Sequence, residues 1–152
     1  MRASGMIRAV FDTNLLVSAF LTRDNPGGVT TELLRFVIGS AIDIYLSVEI
    51  ADEVVETLLE SDRFRPRYLF SQEQVGQYHA DLLTLATVVD DPPAMPGAVP
   101  RDPDDDKIVA CAVAAGAEYL VSRDRDLLSL GSYAGITIIA PEEFIHLVRG
   151  AP

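Results

Sequence analysis

Short apolar runs alternate with helix-length amphipathic segments along almost the whole chain, and this alternation limits the folds open to it. The runs are residues 7–11, 42–46, 88–89, 119–121 and 136–139. Antiparallel neighbours can be joined by tight hairpins, whereas strands separated by helices must pair in parallel through long crossovers. Those crossovers are right-handed and place helices over both faces of the sheet. The expected fold class is therefore α/β, a three-layer α/β/α arrangement around a central parallel sheet of four to five strands. Ligands of such sheets bind beyond the carboxyl ends of the strands.

Local signals place the helices. Asn14 can cap a helix running to Leu21, and Gly39 stops one spanning Thr30 to Ile38. Ser47 opens a helix to Glu60, and Ser71 with Gln74 forms a capping box for 72–86. Asp104 or Asp105 caps a helix that ends at Ala115 before Gly116. Shorter helices are expected at 125–130 and 142–148. Residues 91–100, half of them proline or glycine, read as a loop.

With 152 residues the chain is expected to form one domain over 6–150, behind a frayed lead-in at 1–5. No apolar stretch is long enough for a membrane span, and no apolar segment follows the N-terminal residues as in a signal peptide. The single cysteine, Cys111, reads as a small core residue and suits a reducing cytoplasm. A net charge of −11 disfavours broad attraction to phosphates. The positive charge is almost all arginine, with a knot at Arg63, Arg65 and Arg67, and with Arg123 and Arg125 flanking Asp124. Guanidinium groups beside an acidic centre can hold a phosphate backbone.

Acids recur where strands give way to helices. Asp12 follows the first apolar run and opens Asp12-Thr13-Asn14. Asp102, Asp104, Asp105 and Asp106 crowd before an Ala/Val-rich helix, and Asp124 and Asp126 follow the run at 119–121. Helix capping accounts for one or two of these; gathering more like charges calls for a divalent cation. A calcium-binding EF-hand is excluded, because its sixth position would be Lys107 and its twelfth Val113. The sequence holds no cysteine–histidine set for zinc and no glycine-rich phosphate loop. Only His79 and His146 are available for a histidine-based triad. The helix at 48–60 carries Glu49, Asp52, Glu53, Glu56 and Glu60, and its periodicity does not single out one as a ligand.

Taken in order, Asp12-Thr13-Asn14, Ser47 through Glu53, Asp102 through Lys107, and Val121 through Leu128 resemble the PIN-domain family. The closest resemblance is to the VapC-like branch, labelled as toxins of bacterial toxin–antitoxin pairs. It spans roughly residues 6–148, including the closing Ile139 through Phe144. The resemblance implies a PIN-like nuclease domain and a Mg²⁺- or Mn²⁺-dependent ribonuclease that hydrolyses RNA phosphodiester bonds. It also implies the toxin role in a type II pair, an antitoxin partner, a homodimer and a cytoplasmic location. Matched residue by residue, Asp12, Glu53, Asp106 and Asp124 take the catalytic acid positions. Asp12, Asp106 and Asp124 would hold metal, with Asp104 and Asp126 as auxiliary ligands, and Asn14, Ser122, Arg123 and Arg125 would meet the substrate. Ser122 stands where the family usually has threonine, which keeps the hydroxyl. A reading from a different class is a non-catalytic module whose acidic groove docks a basic partner segment.

Overall fold

The computed structural model describes residues 6–60, 69–100 and 103–150, without the side chain of Asp104. The expected lead-in at 1–5, the arginine knot at 63–67 and Asp102 lie outside the described residues. The elements in chain order are β1 (Ile7–Phe11), α1 (Thr13–Leu21), α2 (Val29–Ile38), β2 (Ile42–Ser47) and α3 (Val48–Glu60). There follow α4 (Gln72–Leu85), β3 (Thr87–Val89), a 3₁₀ turn (Pro103–Asp105) and α5 (Asp106–Ala115). The chain closes with β4 (Tyr119–Val121), α6 (Arg125–Leu128), β5 (Ser132–Tyr133), β6 (Ile136–Ile139) and α7 (Pro141–Arg149).

The sheet runs β3-β2-β1-β4-β6-β5, parallel throughout except for the antiparallel β5–β6 pair. It has six strands where the sequence predicts four to five. The extra one, β5, is only two residues long, too short for an alternating pattern to announce it. Helices on both faces complete the three-layer architecture. From β1 the chain winds outward through β2 and β3, then returns to build β4 and β6 on the other side. The winding direction thus reverses between β1 and β4, and the carboxyl ends of those two adjacent strands flank the crevice.

Strand β1 reads as a continuous apolar run because it is covered on both faces: Ala9, Val10 and Phe11 are all buried. Helix α3 buries Ile50, Ala51, Val54 and Leu58, spaced as one helical stripe, and turns Glu49, Asp52 and Glu56 outward. Phe144 of α7 is fully buried and meets Phe11 edge-on, with ring centroids 6.2 Å apart. Each such large side chain contributes about 1.5–3 kcal/mol on burial. The capping box before α4 forms as expected: Ser71 Oγ accepts the Gln74 N–H at 3.1 Å, and Gln74 Oε1 accepts the Ser71 N–H at 2.8 Å. The cap of α1 differs from expectation. Asp12 is the N-cap and Asn14 lies in the first turn, because Asp12 is the one residue between β1 and α1. Helix α6 stops at Leu128, two residues short of the expected end, as the chain turns into β5.

Helix α5 ends as the glycine implied: Gly116 has φ +62°, the left-handed conformation that costs other residues roughly 1–2 kcal/mol. A methyl there would meet only the Arg8 guanidinium at 3.8 Å, so the cost comes from the backbone and not from crowding. Gly116→Ala should therefore lower stability by about 1–2 kcal/mol, seen as an earlier urea midpoint with an unchanged slope.

Candidate metal centre

Three acids meet at the crevice, each the N-cap of a different helix. Asp12 leaves β1 and caps α1; Asp105 ends the 3₁₀ turn and caps α5; Asp124 follows β4 and caps α6. One carboxylate oxygen from each lies within 4.8 Å of the others. Backbone bonds fix Asp12 firmly. Its N–H donates to the Val121 carbonyl at 3.0 Å, and its carbonyl accepts the N–H groups of Leu15 and Leu16 at 3.0 and 3.2 Å. The Asp124 carboxylate accepts the Asp126 N–H at 2.8 Å. Ser122, with no exposed surface, ties two of the acids together. Its hydroxyl donates to Asp12 Oδ2 at 2.6 Å and accepts the Asp124 N–H at 2.9 Å.

Three ionised carboxylates at this spacing repel one another by about 3–4 kcal/mol per pair at an effective dielectric of about 20. The helix N-termini return only about 0.3–1 kcal/mol each. Repulsion wins unless a cation or a proton intervenes. The pKa of Asp12 is raised above the ordinary 3.8. Burial is the main cause; the Ser122 hydrogen bond opposes it, the charge of Asp124 adds to it, and the amides of Thr13 and Asn14 oppose it. Carboxylate oxygens suit Mg²⁺ or Mn²⁺. Asp12, Asp105 and Asp124 each offer one oxygen within 4.8 Å of the others, so these three residues would hold such an ion.

The other candidate residues take different places. Asp106, one residue from Asp105, is not in the trio. Its Oδ1 accepts the Val99 N–H at 2.7 Å and its Oδ2 the Gly97 N–H at 3.0 Å, so it braces the loop before α5. Glu53 is ion-paired with Lys107 and is likewise outside the trio. Asp126 is half-buried and joins the trio through its backbone N–H alone. The side chain of Asp104 lies outside the described residues. Asn14 and Arg123 line a cavity of about 210 Å³ that opens onto Asp12 and Asp124. Arg123 donates to Glu142 at 2.7 Å, and Arg125 is exposed. Ser122 is too deeply buried to meet a substrate and acts by positioning Asp12 and Asp124. Asp105 is the acid that motif matching passed over. Its signal was the helix cap: an N-cap residue faces the end of the helix, whereas the next residue turns back along it.

The PIN-domain family profile matches residues 8–126, and the chain belongs to that family. Among solved structures it is similar to VapBC2 from Rickettsia felis bound to a DNA fragment from its promoter, with a TM-score of 0.59 and 14% identity. That match covers 88% of this chain and 98% of the other. No curated protein matches it.

Because the pKa of Asp12 is higher in the folded protein than in the unfolded chain, its protonated form favours the fold. That contribution is present below the unfolded pKa and is lost as pH rises through the folded value. Asp12→Asn keeps an acceptor for Ser122 and removes the buried charge. In chelator at pH 7 it should melt above wild type, and the gap should close as the pH falls below about 4.

Proposed function

We propose that this protein is a metal-dependent ribonuclease that hydrolyses RNA phosphodiester bonds as the toxin of a type II toxin–antitoxin pair. The observation that carries this reading is the convergence of Asp12, Asp105 and Asp124 at the switch point of the sheet. These three residues would hold the ion, Mg²⁺ or Mn²⁺. When bound, such an ion lowers the pKa of a coordinated water and offsets charge on phosphoryl oxygens. Ser122 holds Asp12 in one orientation, so a ligand oxygen is aimed before the ion arrives. Arg123, at the rim, and the exposed Arg125 beside Asp124 would neutralise the RNA backbone, and Asn14 would offer an amide to the strand at the mouth of the cavity.

Asp106 serves the site through the loop it braces, and Glu53 through its ion pair with Lys107 across α3 and α5. The net charge of −11 suits an antitoxin whose basic segment covers the acidic crevice, and it is also what favours the alternative of a docking module without turnover. Two further parts of the reading are a homodimer and a cytoplasmic setting in which the buried Cys111 stays reduced. Among the described residues, no helix is long and apolar enough to cross a membrane.

Purified protein should cut single-stranded RNA in Mn²⁺ and stop when chelator is added. Asp12→Asn and Asp124→Asn should each lower the rate by at least about 100-fold while the circular dichroism spectrum stays unchanged. Titration calorimetry should show weaker Mn²⁺ binding in both. Equal cleavage by Asp12→Asn and wild type would refute the assignment, and chelator-resistant binding of a basic peptide without cleavage would favour the docking module.

A further inference from the structure

A second cavity, of about 450 Å³, lies between the start of α3, the first turns of α5 and the loop formed by residues 91–100. Its walls are the apolar surfaces of Pro93, Met95 and Pro96, and its polar groups come from Glu49, Asp106 and Lys107. Two of those three are already engaged. Both Asp106 oxygens accept loop amides, and the Lys107 ammonium is paired with Glu53. Glu49 is exposed, and no described residue gives its carboxylate a hydrogen bond or an ion pair. Among the described residues, the chemistry offered to an incoming ligand is thus a charged acceptor between flat apolar walls.

The walls are held in place before any ligand arrives. Val99 and Ala98 are buried in the core, the Ala98 N–H closes a turn on the Met95 carbonyl at 3.2 Å, and Asp106 clamps Gly97 and Val99. A preformed wall spares a ligand the cost of ordering a loop. The cavity is linked to the acid trio through the start of α5: Asp105 belongs to the trio, and Asp106, the next residue, lines the cavity.

We propose that this cavity receives an unpaired nucleobase next to the cleavage point, and that Glu49 selects bases bearing an exocyclic amino group. The proposal rests on the ribonuclease reading and adds the specificity of the site. A phosphate is repelled by Glu49, whereas an amino N–H donates to it, as carboxylates accept from cytosine N4. Proline rings and a thioether give a base the flat, polarizable surfaces on which splayed single-stranded bases settle. Adenine, cytosine and guanine carry the amino group; uracil does not.

Two readouts test the proposal. In the first, wild type and Glu49→Ala cut a random single-stranded RNA pool in Mn²⁺, and the new ends are sequenced. Wild type should disfavour uridine by roughly tenfold at one position beside the cut, and Glu49→Ala should flatten that position alone. The second needs no turnover: labelled oligocytidine and oligouridine are titrated into Asp12→Asn and into Asp12→Asn/Glu49→Ala, and fluorescence anisotropy is followed. The single variant should prefer oligocytidine and the double variant should not. An unchanged profile in Glu49→Ala, or equal binding of both oligomers by Asp12→Asn, overturns the proposal. So does Glu49-dependent binding of an oligoarginine peptide with no base preference, which marks the cavity as a protein-docking site. Base-dependent binding lost with Glu49, in a wild-type protein that cuts no RNA, supports the cavity and overturns only the ribonuclease reading.

Discussion

The mutual repulsion of Asp12, Asp105 and Asp124 is the constraint around which this structure is arranged. A carboxylate oxygen of each lies within 4.8 Å of the others, and left in water three flexible acids would move apart. Here each is the cap of a helix, and two of those helices follow the ends of adjacent central strands with at most three residues between. The sheet thus supplies the force that holds the acids together. Its parallel ladder sets β1 beside β4, the buried strands and α7 fix their height, and Ser122 joins the two acids that follow them. The arrangement stores unfavourable energy in a place where a cation can release it; the pKa of Asp12 is raised mainly by burial, with the charge of Asp124 adding to it.

Much of this was legible in the sequence because local chemistry and global fold agree. The apolar run at 7–11, the capping box at Ser71 and Gln74, and the terminal Gly116 each report a structure their own neighbourhood dictates. The placement of Asp12 and Asp124 beyond the ends of strands followed from the alternation of strands and helices. What could not be read was which of two consecutive acids turns toward the centre. Asp105 and Asp106 are chemically identical, and the difference lies in the 3₁₀ turn that precedes them and in two amides of a loop nearly ten residues upstream. Glu53 presents the same difficulty, since its ion pair with Lys107 joins segments more than fifty residues apart. Such partners are chosen by tertiary packing, and local pattern carries no trace of them.

The acidic run before α5 shows how one helix start can perform several tasks. Asp105 belongs to the candidate metal centre, Asp106 anchors the proline-rich loop, and Lys107 pairs with α3. Successive residues on a helix point about 100° apart, so three neighbours address three different surroundings. Asp105 and Asp106 thus have separate tasks beyond capping.

The two margins of the sheet carry a separate consequence. The outermost strands, β3 and β5, have three residues and two residues respectively. Neither presents a row of unpaired amides long enough to template a foreign strand, which guards a highly apolar sheet against fibrous growth. Among the described residues, a companion molecule, whether another copy or a different chain, therefore finds helical surfaces and loops to grip rather than a strand edge. A companion seated on the loops at the carboxyl ends of β1 and β4 would deny entry to whatever the acids act upon.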